Sequence, residues 1–326
     1  MGEKGKETIE KTIRSGRVRA ICTSERRGTE KHAVSEARFE KGYGIRGDAH
    51  VGNWHRQVSL LSYDKVKEFN ERGAKVVDGA FGENLVVEDL DFRSFPVGTI
   101  LECEDVVLKM TQIGKECHTH CQIYQRMGEC IMPVQGVFAE VLVSGTIHAD
   151  SVMTARFPDG TEPFTAAVIT MSDKGSKGER ADESGPAMKA RLKAAGFDVV
   201  EALLLPDEKE LLKRELVRLS DQRQVDLILT SGGTGFSVRD TTPEATLEVM
   251  TRNVPGIAEA IRAESMKYTK RAMLSRGVSV LRNKTLIINL PGSPKAVRES
   301  MEIVLESVQH GLGILRGSES ECARYK

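Results

Sequence analysis

The chain has no charge of one sign to spare: over 326 residues, lysine plus arginine and aspartate plus glutamate each total 47. A balanced surface lacks the electrostatic footprint that draws proteins onto nucleic acid or an anionic membrane, which argues against both as partners. No apolar run approaches the roughly 20 residues needed to span a bilayer. The start of the chain, Met1 to Glu7, is charged and lacks the apolar core of a signal peptide. Gly2 does not make a myristoylation site, because Lys6 stands where Ser or Thr is required. A cytoplasmic protein is the expectation. Cysteine is sparse, six in all, and three fall between Cys117 and Cys130, which points to thiols with chemistry or a metal and away from a disulfide framework. There is no Walker A sequence either, so a bound nucleotide must be held another way.

A chain this long exceeds the usual single domain, and its 40% hydrophobic and 29% charged residues describe ordinary globular material. Residues 155–163 have the Pro, Gly and polar character of a linker. Before it, short β-rich segments such as 17–21, 57–61 and 106–110 are separated by turn-rich stretches, with one convincing helix at about 63–72, so a barrel or sandwich is expected. After it, apolar runs at 165–171, 199–205, 225–229 and 285–290 alternate with helical segments. Their apolar faces carry Met188, Leu192 and Ala195, then Leu212, Leu216 and Leu219, and finally Val297, Met301, Val304 and Val308. The alternation predicts an α/β fold with a doubly wound, mostly parallel sheet.

Polar loops leave the ends of those strands. The most pronounced is Gly232-Gly233-Thr234-Gly235, which runs through Asp240 into Thr242-Pro243-Glu244. The last three residues read as an N-cap followed by proline at the first helical position. Glycines let backbone N–H groups approach phosphate, and Asp240 could hold Mg²⁺ beside it; a tight turn with a solvated Asp is the plainer reading. The other loops carry Ser172-Asp173 with Asp182 and Ser184-Gly185, Pro206-Asp207-Glu208, and Pro291-Gly292-Ser293-Pro294-Lys295. Asp207-Glu208 could simply begin a helix, where acids are favoured by the dipole. In a parallel sheet these loops share one edge and converge on one crevice.

With Met273-Leu274-Ser275-Arg276, this ordered set closely resembles the molybdopterin adenylyltransferase (Mog-type) family, with domain bounds at 164–318. The resemblance implies transfer of AMP from Mg-ATP to the terminal phosphate of molybdopterin with release of pyrophosphate. It assigns Asp207 and Asp240 as catalytic acids, with Asp240 on Mg²⁺. It places Ser172, Asp173, Asp182, Ser184, Gly232, Gly233, Thr234, Gly235, Ser275, Pro291, Gly292, Ser293, Pro294 and Lys295 around molybdopterin and nucleotide. It also implies a homotrimer formed through this domain. A molybdate-insertion enzyme, a non-catalytic molybdopterin carrier and a damaged-nucleotide hydrolase remain alternatives on the same fold.

The first domain, bounded at 16–154, resembles the MOSC module found at the C-terminus of molybdenum cofactor sulfurases. The likeness is carried by the turn-rich stretches at 42–57 and 79–85, by Gly114-Lys115-Glu116-Cys117, and by the closing segment 136–142. Cys117 matches the family cysteine, which implies that the domain carries a persulfide or molybdenum cofactor and meets other molybdenum cofactor enzymes. Lys115, His118 and His120 would lower its pKa if close. Zinc at Cys117, Cys121 and Cys130 stays open, although no second Cys or His pair follows, and so do plain buried thiols. A radical iron–sulfur triad fails because Tyr124 occupies the third position. His50 and His55 read as hydrogen-bonding surface residues.

Overall fold

The computed structural model describes residues 13–117 and 122–318. The chain splits into two compact units, Met1–Asp159 and Gly160–Lys326.

The first unit is β-rich, in the order β1 (Ile13–Thr23), β2 (His32–Val34), β3 (Glu36–Glu40), β4 (Gly44–Ile45), β5 (Val58–Ser62), α1 (Tyr63–Glu71), β6 (Leu85–Glu88), β7 (Ile100–Cys103), β8 (Val106–Ile113), α2 (Gln122–Met127), α3 (Met132–Gln135), β9 (Val137–Val143), β10 (Gly145–His148) and β11 (Val152–Arg156). Seven strands pair in the order β11, β7, β8, β9, β5, β6, β1, and β1 pairs back onto β11, so the barrel expected from the sequence closes; β2 extends it beside β1. Closure leaves no unpaired edge among those seven strands. Alternation decides which side chains fill the barrel: Leu60, Leu85, Val87 and Leu108 belong to the main core, whereas Leu61 joins Val66 and Phe69 of α1 in a second cluster outside it. Two short helices, α2 and α3, join α1 where only one helix was expected. Each is too short to show a helical period in sequence.

A fully buried ion pair braces this unit. Lys31 Nζ lies 2.5 Å from Asp48 Oδ2, with both side chains 1% exposed. Asn84 Nδ2 and the Ser24 amide donate to the same oxygen at 3.2 Å, and the His50 amide donates to the other at 2.9 Å. Burial would raise the Asp48 carboxyl, yet hydrogen bonds from His50 and Lys31 hold it well below its ordinary range. Burial likewise pushes the Lys31 ammonium down, against the pull of Asp48.

The second unit runs β12 (Thr165–Met171), α4 (Asp173–Ser176), α5 (Ser184–Ala194), β13 (Asp198–Leu205), α6 (Lys209–Val217), β14 (Leu227–Ser231), α7 (Thr242–Glu248), β15 (Arg252–Asn253), α8 (Pro255–Ser265), β16 (Ser279–Arg282), β17 (Thr285–Leu290) and α9 (Pro294–Arg316). The sheet order is β13, β12, β14, β17, β16, β15; the first four strands are parallel, and β16 joins β17 and β15 through antiparallel pairs. Successive residues of one strand feed opposite layers. Ala166 and Val168 pack with Met188, Leu192 and the Val297, Met301, Val304 and Val308 face of α9, whereas Ala167 and Ile169 pack with Leu212, Leu216 and Leu219. The mostly parallel, doubly wound sheet is therefore present, and helices cover both faces. Three local expectations shift. The loop after β12 contains the one-turn helix α4, the strand expected at 225–229 is β14 at Leu227–Ser231, and α7 is capped by Thr241, so Thr242 is already inside the helix.

Removing one partner of a buried pair leaves an uncompensated charge, so Asp48→Ala should destabilise the first unit by about 3–5 kcal/mol. The sole tryptophan, Trp54, belongs to this unit, and urea unfolding followed by its fluorescence reads the change. A loss under about 0.5 kcal/mol, the range of ordinary surface substitutions, would contradict the bracing role.

Candidate active site

Three strand-end loops of the second unit meet at carboxylates. Asp173 follows β12, Asp207 follows β13 and Asp240 closes the glycine loop after β14. Asp173 and Asp207 exchange bonds: the Asp173 amide donates to Asp207 Oδ2 at 2.9 Å, and the Asp207 amide donates to Asp173 Oδ1 at 3.0 Å. Arg239 reaches across to Asp173, donating from Nε to Oδ2 at 3.0 Å and from Nη2 to Oδ1 at 2.6 Å. The guanidinium holds the Asp173 carboxyl below its usual range. Asp207 moves the opposite way: burial pushes its carboxyl up, and the charges of Asp173 and Asp240 add to the rise, against the amide bond from Asp173. Adjacent acids driven apart by their surroundings are a mark of functional sites.

The glycine positions of this loop cannot carry side chains. Gly232 and Gly233 have φ of 96° and 64°, a left-handed backbone that glycine adopts at no steric cost. A Cβ on Gly232 would stand 2.4 Å from Met171 O, and one on Gly233 would stand 2.3 Å from Thr242 Oγ1. A Cβ on Gly235 would come within 2.8 Å of Asp240 Oδ2. The three glycines let the loop pack directly against the end of β12, the start of α7 and the Asp240 carboxylate. The loop is pinned from outside by Arg276, whose amide donates to Thr234 O at 3.0 Å and whose Nε donates to Gly235 O at 2.7 Å; its Nη2 also donates to Asp240 O.

The remaining candidates form two neighbouring groups. Ser231 Oγ donates to Pro291 O and Ser184 Oγ donates to Gly292 O, both at 3.0 Å, while the Gly185 amide donates to Asp182 Oδ1 at 2.9 Å. A Cβ on Gly292 would lie 3.4 Å from Gly232 Cα, so these loops touch. Thr170 Oγ1 is buried with no hydrogen-bond partner, 3.0 Å from where a Cβ on Gly185 would stand. Ser293 caps α9, accepting from the Ala296 amide at 3.3 Å, and Ser172 caps α4 in the same manner at 3.0 Å. On the other side, a pocket of about 280 Å³ is lined by Thr234, Gly235, Ser275 and Pro291 together with Arg262 and Arg271. Lys295 stays apart: its exposed Nζ is nearest Glu299 of its own helix, at 3.8 Å.

The residues fit a divalent cation brought in by phosphates. Among the described residues, no three His, Cys, Asp or Glu side chains are grouped to hold a metal by themselves. Mg²⁺ normally uses one or two carboxylates and completes its shell with water and substrate phosphate, and like charges crowded beside Asp207 are the kind of cluster a cation relieves. Sequence reasoning gave no role to Arg239 or Arg276, although both lie inside the quoted motifs. Their tasks depend on which carbonyls and carboxylates the fold brings near, and no spacing reports that.

In the first unit, Cys117 is exposed, whereas Cys22 and Cys103 are buried and burial pushes both thiols up to about 12. Near Cys117 in sequence, Lys115 Nζ stands 6.0 Å from the Phe138 ring centroid, and the Arg56 guanidinium packs over Phe138 at 5.6 Å and Trp54 at 4.8 Å. His118, His120 and Cys121 lie outside the described residues. His50 and His55 are half-buried where surface positions were expected; His50 Nδ1 is 3.3 Å from Asp48 and His55 Nε2 bonds Gln112 Oε1 at 2.9 Å.

Comparison with known proteins follows this division. Residues 167–310 match the family described as "Probable molybdopterin binding domain", and residues 47–154 match the MOSC domain family. The molybdopterin adenylyltransferase of Helicobacter pylori is 40% identical over 153 residues, covering 46% of this chain and 87% of that protein. The molybdopterin adenylyltransferase of Escherichia coli K12 is 40% identical over 152 residues, covering 44% of this chain and 77% of that protein. A crystal structure of the molybdopterin biosynthesis enzyme MoaB from Thermus thermophilus is 47% identical, covers 47% of this chain and 97% of its own, and superposes with a TM-score of 0.46.

The raised Asp207 carboxyl makes a pH test. A carboxyl raised on folding contributes stability that is full below its unfolded value, about 3.9, and is lost as pH climbs through the raised native value. Asn cannot ionise and can still accept from the Asp173 amide. Asp207→Asn should therefore melt above wild type at pH 7, with the gain vanishing as pH falls below about 3.9. A lower melting temperature for the variant at pH 7, measured by calorimetry without metal, would rule this out.

Proposed function

Since the chain belongs to the molybdopterin adenylyltransferase family through its second domain, and is thus a nucleotidyltransferase of molybdenum cofactor biosynthesis, we propose that this domain adenylylates molybdopterin with Mg-ATP. The observation that supports the reading best is the meeting of Asp173, Asp207 and Asp240 beside a loop closely packed through Gly232, Gly233 and Gly235. An oxygen of the molybdopterin phosphate attacks the α-phosphorus of ATP, and the bond to the bridging oxygen breaks with its electron pair leaving on pyrophosphate. No protein nucleophile is needed. The demand on the protein is positioning and neutralisation of negative charge. Asp240 would hold Mg²⁺, which supplies positive charge to the phosphates. Asp207, fixed by the Asp173 amide, positions the acid cluster. The touching loops at Gly232 and Gly292, with Asp182, Ser184, Ser231 and Pro291, form the floor on which phosphate and pterin rest. Ser275 and Thr234 line the adjoining pocket. A trimer built through this domain is part of the same reading.

Purified protein with ATP, Mg²⁺ and molybdopterin should release pyrophosphate. Asp240→Asn and Asp207→Asn should each cut that rate by about 10²–10³ while molybdopterin binding stays within a few-fold, because an acid acting on the transition state affects turnover more than ground-state affinity. Wild-type rates in both variants would reject the assignment, and molybdopterin binding without pyrophosphate release from the wild type would favour a carrier.

For the MOSC domain, the exposed Cys117 carries the reading that this half receives or passes on sulfur or molybdenum cofactor. Only a thiolate attacks or ligates effectively, so an exposed thiol should outpace buried ones. Alkylation at neutral pH with peptide mass analysis should label Cys117 well ahead of Cys22 and Cys103, and Cys117→Ser should abolish any persulfide on this domain while adenylylation continues. Protection of Cys117 that a chelator relieves would point to zinc instead.

A further inference from the structure

Arg239 is given no part in the reaction above, yet it is the cation that touches the acid cluster through two bonds. Its side chain is 56% exposed and that of Asp173 34% exposed, so water screens the pair and it is held loosely. The backbone beneath it is fastened independently. Asp240 and Ser237 close a turn on themselves, with the Ser237 amide donating to Asp240 Oδ2 and the Asp240 amide to Ser237 O, each at 2.9 Å. Arg276 fixes Thr234, Gly235 and Asp240 from the other side. The guanidinium can therefore leave Asp173 without unfolding the loop. Between the two anchors the loop faces solvent, with Phe236 70% and Val238 96% exposed, so packing of those two side chains does not oppose a swing.

Resting on the adenylyltransferase reading, we infer that Arg239 is a transferable cation: it neutralises Asp173 while the site is empty and moves to a substrate phosphate when the divalent cation arrives. A guanidinium forks onto carboxylate and phosphate with the same planar pair of N–H donors, so one side chain serves both partners. The exchange conserves charge in the cluster. Asp173 gives up one positive neighbour as the metal supplies another, and the phosphates gain the arginine. Asp240 is less available to the same side chain, since its Oδ2 already accepts from the Ser237 amide of its own loop, which leaves Oδ1 for the metal.

The test compares wild type, Arg239→Gln and Arg239→Lys in the full chain. Mn²⁺ binding to nucleotide-free protein, followed by electron paramagnetic resonance, should tighten in Arg239→Gln because the internal competitor is gone. In the same variant, kcat/KM for adenylyl transfer should drop about 10–100-fold, the loss of a charge-assisted contact. Arg239→Lys should keep near-wild-type Mn²⁺ affinity and recover part of the rate, since a point charge replaces a fork. Binding of a non-hydrolysable ATP analogue and of molybdopterin, each measured alone with metal, tells which phosphate Arg239 takes, by which affinity falls. Weakened or unchanged Mn²⁺ binding in Arg239→Gln would overturn the inference, and so would an unchanged rate. If the wild type releases no pyrophosphate, the adenylyltransferase reading fails while the Mn²⁺ comparison still decides whether Arg239 competes with a cation.

Discussion

Everything around the site depends on a place where backbone must meet backbone. Gly232 stands against Met171 O on one side and Gly292 on the other, so three strand ends meet with no room for a side chain at Gly232. The parallel register makes this meeting: β12, β14 and β17 run together, with Thr170 beside Ser231 and Ser231 beside Leu290. Their loops then leave from one level. Because the loops are in contact, the acids and hydroxyls they carry hold fixed relations without a long side chain to span a gap.

How much of this could be read in the sequence follows from which forces act locally. The strands of the second domain are buried on both faces, so they appear as unbroken apolar runs, and Thr165–Met171 and Thr285–Leu290 fall where those runs do. The helix faces were legible for the same reason: Leu212, Leu216 and Leu219 recur at helical spacing and are all fully buried. Ends were harder. The cap expected at Thr242 falls one residue earlier, on Thr241, whose backbone lies outside the helical region while Thr242 is already helical. The antiparallel strand Ser279–Arg282 was missed because four residues carry too little pattern to stand out. The acids could be named, but not their unequal environments: Asp207 is raised chiefly by burial, and Asp173 is lowered by the guanidinium of Arg239, 66 residues away.

The first domain solves a different problem. A closed barrel needs no partner for its strands, but its loops must be fastened to it, and here a carboxylate and an ammonium with no access to water do the fastening. Lys31 and Asp48 belong to two loops 17 residues apart, and Asn84 from a third joins the same oxygen. Such a cluster favours one arrangement of the three loops because any other would strand a charge. Cys117 sits outside this bracing, in an exposed stretch.

Strand polarity in the second domain also separates its entrance from its chemistry. The chain enters at Thr165, whose amide donates to Asp226 Oδ2 at 2.7 Å, and Arg316 at the end of α9 donates to the same carboxylate and to the carbonyls of Glu162 and Pro163. This knot ties off the incoming segment at the N-terminal edge of the parallel strands, whereas the loops with the acids leave the C-terminal edge. Helix α9 spans 23 residues between the two, a strut of about 35 Å at 1.5 Å per residue. The segment leading into this fold and the loops that carry the acids thus lie at opposite edges of the sheet.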